Sequence, residues 1–135
     1  MKTKLFILFL LIGSGSLWAQ DRTPAIEAAV AEQAAHFELR ADQVEQMYVI
    51  EERRVRNLTE IEVLRESDYR LYLVKKQAIR THIQGNIRQI LDKEQRITLD
   101  QDVRQYRETT SNLVREMRQQ GKSKEEIELM LLERG

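Results

Sequence analysis

His36 and His82 are the imidazoles through which this chain could bind a metal or shuttle protons, and no cysteine accompanies them. Metal sites ordinarily bring three or four ligands. The two histidines fall on different predicted helices, so no metal site is assigned, although the many carboxylates leave a weak one open. The pairs Glu51–Glu52 and Glu125–Glu126 could suggest acid–base catalysis. With 22 Asp and Glu on a helical chain, such pairs arise by chance. No nucleophile elbow, phosphate loop or zinc-protease helix signature occurs. We therefore assign no catalytic residues and no cofactor, and expect a protein that is not an enzyme. The remaining chemistry is physical. Arg70, Lys75, Lys76 and Arg80 interleave with Leu71, Val74 and Ala78, mixing cations with apolar groups on one stretch. Such a surface attracts acidic chains at long range and holds them by apolar contact.

The chain that must carry this stretch has 135 residues, 22 basic and 22 acidic, with one proline and five glycines. That is one domain's worth of sequence. Zero net charge argues against a general nucleic-acid binder, and the absence of Cys excludes disulfides, thiolate metal sites and Cys nucleophiles. The start reads as a secretory signal peptide over residues 1–19: Lys2 and Lys4, the apolar run Leu5–Ile12, then small residues before a cut after Ala19. The apolar run is too short to span a bilayer, and no Cys at the cut marks a lipoprotein. Removing two lysines leaves 20 basic against 22 acidic residues on 20–135. The expectation is a single exported, periplasmic domain with no stable membrane insertion after cleavage.

Periodicity predicts an all-α fold of four to five helices in elongated, curved hairpins. Thr23-Pro24 starts the first helix, over Ala25–Phe37, whose small alanines suggest loose packing. Ala41–Arg65 forms the second, with Val44, Met47, Tyr48, Val55 and Leu58 on one face, interrupted by Glu51 and Glu62. Asn57-Leu58-Thr59 matches a glycosylation acceptor but falls inside this helix and is read as unmodified. Ser67-Asp68 caps a basic helix, Tyr69–Leu91, with core residues Tyr72, Ile79, Ile83, Ile87 and Ile90. Its first half is apolar on two faces, so Leu71, Val74 and Ala78 should meet a partner. Asp92 and Gln95 cap the next helix. Thr98-x-x-Gln101 offers a second start, which predicts a kink near Ile97–Leu99. Leu99, Val103, Tyr106, Thr110, Leu113 and Met117 make a coiled-coil-like seam, Gly121 ends it, and a box at Ser123 and Glu126 opens a last helix with Ile127, Met130, Leu131 and Leu132.

Two short segments match each other. Leu39-Arg40-Ala41-Asp42-Gln43 and Leu91-Asp92-Lys93-Glu94-Gln95 both read L-x-x-x-Q before a helix, 52 residues apart. With the exported start, the size and the lack of Cys, this resembles the Spy/CpxP family of small exported helical proteins, marked by a repeated L-T-x-x-Q. The similar region is about Phe37–Tyr106, so the helices from about 99 onward are an extension. Asp92 replaces the motif's Thr with another capping residue. Arg40 replaces the other Thr and cannot cap, so the first two helices are expected to run together through Leu39.

The resemblance implies a thin, curved homodimer. It implies an ATP-independent chaperone of unfolded envelope proteins, or a soluble regulatory adaptor of an envelope-stress sensor. Some related proteins bind zinc or other heavy metals, which makes a heavy-metal sensor the third reading. Nucleic acid is not an expected partner.

Overall fold

The computed structural model describes residues 22–135; the predicted signal peptide lies outside them. Among the described residues the fold is all-α, with six helices: α1 (Pro24–Phe37), α2 (Ala41–Ile61), α3 (Leu64–Ser67), α4 (Tyr69–Ile90), α5 (Lys93–Gln119) and α6 (Lys124–Arg134). No helix among them is long and apolar enough to cross a membrane.

α2 and α4 form the central antiparallel hairpin, and α1 folds back onto α2. Their shared core is Ile26, Val30, Met47, Ile50 and Ile83, flanked by Leu39, Val44, Tyr48, Ile79, Ile87 and Ile90. A second, smaller cluster of Phe37, Leu91 and Leu99 joins the end of α1 to the start of α5. Arg22 clamps the start of α1 to α2: its guanidinium lies 3.7 Å from the Tyr48 ring centroid and pairs with Glu45 at 2.8 Å. The alanine-rich first helix is therefore firmly packed. Ile26, Val30 and Phe37 are all buried, because three well-spaced large side chains anchor a helix whose other residues are small.

The helix ends obey local chemistry. Thr23 Oγ1 accepts from the Ile26 amide, with Pro24 in the first turn. Asp68 accepts from the Leu71 amide and starts α4. α5 ends in a Schellman arrangement at Gly121, whose φ of 77° is left-handed: Lys122 N–H reaches Met117 O and Gly121 N–H reaches Arg118 O. Ser123 and Glu126 exchange side-chain and backbone bonds at the start of α6.

Several expectations change. α1 and α2 do not run together: α1 stops at Phe37, Glu38 turns left-handed (φ 52°), and α2 begins at Ala41. A left-handed non-glycine costs about 1 kcal/mol, and burying Phe37 against Leu91 and Leu99 offsets it. The second helix ends at Ile61 rather than Arg65, and the short α3 carries the chain to the Asp68 cap. α5 has no interruption at Ile97–Leu99, because Asp92 and Gln95 already satisfy its start and the second start at Thr98 is not needed. Glu51 does not break the buried stripe. It is itself buried, its charge met by Arg54 at 2.6 Å.

Met47 has no exposed surface and sits at the centre of the three-helix core. Met47→Ala should lower the unfolding free energy by about 2–5 kcal/mol in denaturant titrations, with the helical signal intact at low denaturant.

Candidate functional site

The two L-x-x-x-Q segments meet face to face. Gln43 Nε2 donates to Gln95 Oε1 at 2.7 Å, and Gln95 Nε2 donates back to Gln43 Oε1 at 3.0 Å. Each oxygen also accepts the N-cap amide of its own helix: Arg40 N–H to Gln43 at 2.9 Å, Asp92 N–H to Gln95 at 3.0 Å. Each Nε2 spends its second hydrogen on a carbonyl of the other segment: Gln43 on Ile90 at 2.7 Å, Gln95 on Glu38 at 3.1 Å. These carbonyls lie two residues before the respective N-caps, so the junction has local two-fold symmetry. Every hydrogen-bonding group of both amides is used.

The N-cap positions break that symmetry productively. Asp92 accepts the Glu94 and Gln95 amides through one carboxylate oxygen and Arg40 Nη1, at 2.9 Å, through the other. Arg40 has no acceptor to cap α2, so Gln43 alone holds that start, and Arg40 instead ties the two starts together. The Asp92 carboxyl is held below its ordinary range, chiefly by the Gln95 amide and then by Arg40. Leu39 is half-buried and Leu91 fully buried beneath the junction. All five residues singled out in the repeat, Leu39, Gln43, Leu91, Asp92 and Gln95, thus form one junction.

The cationic–apolar stretch of α4 is divided by the fold. Leu71 and Val74 remain 39% and 46% exposed, and Ala78 and Lys75 are exposed beside them on the outward face. The other residues turn away. Arg70 pairs with Glu128 of α6 at 2.7 Å. Arg80 donates to Tyr106 Oη at 3.1 Å and stacks 4.3 Å from that ring's centroid. Lys76 is half-buried near Arg54, Leu58 and Ile79, on the α2 side. The expected core residues of α4 are unequal: Ile83 is buried, whereas Tyr72, Ile79, Ile87 and Ile90 are half-buried. The most buried residue of α4 is Leu73, at 2%, one turn along from Arg70, which pairs with Glu128 of α6. Sequence reading passed over it because it lies between the two apolar stripes. The signal lay in α6, whose Ile127 and Leu132 also require cover.

The predicted seam of α5 is buried at its two ends, Leu99 and Met117, while Val103, Tyr106, Thr110 and Leu113 are half-buried. The Thr110 hydroxyl is buried without a hydrogen-bond partner. His36 Nε2 lies 2.7 Å from Asp102 Oδ2 and His82 Nδ1 lies 3.4 Å from Asn86. Among the described residues no three His, Asp or Glu gather as a metal site would require. Asn57 and Thr59 are inside α2, with the Thr59 hydroxyl donating to Val55 O.

No family model, curated protein or solved structure matches this chain.

Gln43→Leu removes one amide of the reciprocal pair and leaves the Ile90 carbonyl and the Gln95 amide unmet. Stability should fall by about 1–3 kcal/mol. In a cycle with Gln95→Leu the coupling should be about 0.5–3 kcal/mol, and additive losses would show that the two amides act independently. Because the folded Asp92 carboxyl titrates below its unfolded value, its contribution is complete above about pH 4. It disappears as pH falls through the folded value. The stability difference between the wild type and Asp92→Asn, which keeps a capping side chain, should be flat near neutrality and shrink in acid.

Proposed function

We propose that the chain is a nucleotide-independent, chaperone-like protein of the exported Spy/CpxP type, which holds non-native envelope proteins on the outward face of α4. The observation behind this reading is the uncovered stripe of Leu71, Val74 and Ala78 beside Lys75. α6 packs on α4 and engages Arg70, yet leaves that stripe in water. Lys75 has no ion-pair partner among the described residues and supplies the long-range attraction. Lys76 and Arg80 flank the stripe without joining it, because their side chains serve contacts to α2 and α5. The stripe itself carries no acid, and in this reading capture and release follow from weak contact alone. A homodimer would bring two stripes to one client and raise avidity. The paired-glutamine junction supplies rigidity rather than contact.

The purified protein, without ATP, should suppress light scattering from an unrelated protein such as reduced α-lactalbumin at a modest molar excess. Absence of suppression at every ratio would overturn the reading. Val74→Glu and Leu71→Glu alter exposed positions and should leave the melting temperature nearly unchanged while weakening suppression. Lys75→Glu should weaken suppression of an acidic client and flatten its salt dependence. Zinc or nickel titration by calorimetry, and a pull-down recovering one specific membrane sensor rather than many unfolded clients, would favour the metal-sensor and adaptor readings respectively.

A further inference from the structure

α5 leaves the junction at an angle to α4. Beyond their connecting turn the two helices barely approach each other. Long side chains bridge the space between them: Arg88 to Asp100 near the junction and Arg80 to Tyr106 farther out. Two adjoining cavities result, of about 390 Å³ and about 290 Å³, which share Thr81, Gln84, Val103 and Arg107. Together they form a groove with a patterned lining. Its apolar surface comes from Leu99 and Val103; Gln84 offers donors and an acceptor, and the Thr81 hydroxyl, whose proton goes to Gln77 O, offers an acceptor. The carboxylates on its walls are already engaged, Asp100 by Arg88 and Asp102 by His36. Two guanidinium groups one helical turn apart, Arg104 and Arg107, are exposed and without an ion-pair partner among the described residues.

We infer that this groove is a second binding site, for an acidic polypeptide segment in extended conformation. Arg104 and Arg107 meet its carboxylates, as arginine forks do. Gln84 meets its backbone amides and carbonyls, Thr81 Oγ1 accepts from a backbone amide, and Leu99 and Val103 accept an intervening aliphatic side chain. Charge complementarity with Arg104 and Arg107 selects the occupant, and the apolar Leu99 and Val103 favour a peptide over a uniformly charged phosphate polymer. The site is separate from the α4 stripe: it faces α5, and it shares neither Leu71, Val74 nor Lys75.

The test is fluorescence anisotropy of a labelled peptide alternating Glu with Val and Ser, measured on the purified protein at low salt. Binding should occur and weaken as salt rises. It should weaken about tenfold in the Arg104→Glu/Arg107→Glu double variant, whose exposed positions should leave the melting temperature nearly unchanged. The neutral variant Arg104→Gln/Arg107→Gln should fall between. Lys75→Glu should leave peptide binding near wild type, and the double variant should leave aggregation suppression near wild type. Equal affinity in all variants, or no peptide binding by the wild type, overturns the site. Polyphosphate binding tighter than the peptide with the same arginine dependence also overturns it, by assigning the groove to phosphate polymers. Peptide binding without aggregation suppression would overturn the chaperone reading and leave this one standing; the reverse result would do the opposite.

Discussion

The reciprocal amide pair between Gln43 and Gln95 is the constraint on which the architecture depends. A helix start presents amide donors that need partners, and here the N-cap amides of two starts separated by 52 residues are met within one closed set of hydrogen bonds. Neither glutamine could be satisfied alone, because each donates into the carbonyls before the other's helix. Where such a polar network is buried, as at Gln43, it stabilises only when complete, and every amide group of this pair is met. It therefore fixes the α1–α2 turn against the α4–α5 turn and sets the direction in which α5 departs.

That direction divides the molecule. On one side of the junction α1, α2 and α4 close over Met47 and Val30. On the other side α5 extends away, touching the body through Leu99 and through polar bridges from His36, Arg88 and Arg80. At its far end the Schellman turn at Gly121 sends α6 back onto α4. The return is short, 11 residues against the 27 of α5. It covers one side of the first half of α4 and leaves Leu71, Val74 and Ala78 open. Both exposed features, the α4 stripe and the α4–α5 groove, follow from the direction in which the junction sends α5 and from the short return of α6.

Local chemistry was legible in the sequence. Thr23, Asp68, Asp92, Ser123 and Gly121 act at helix ends as their side chains or backbone freedom dictate. The five motif residues could be named as a pair, but their mutual hydrogen bonds could not, since periodicity along a chain holds no information about what lies across from it. Arg40 shows why. Judged as a cap it is a defect; judged across the junction it is the partner of Asp92. Glu51 is the same lesson within one helix, a carboxylate made compatible with burial by an arginine three residues on. Leu73 and the groove arginines depend on where α5 and α6 travel, which no local pattern specified.

The size of the exposed stripe limits what it can do. Two partly exposed aliphatic side chains and an alanine can contribute only a few kcal/mol at about 25 cal/mol per Å². Association costs at least about 4 kcal/mol in lost freedom before any gain is realised. A folded partner needs an interface of roughly 1,600 Å², far more than this stripe supplies. On the proposed chaperone reading, a non-native chain would be under no such requirement: it would lay successive apolar segments on the stripe with its carboxylates near Lys75. Each contact would then be weak, and release would require no energy source, because a client that buries its own apolar residues during folding withdraws the groups the stripe had held.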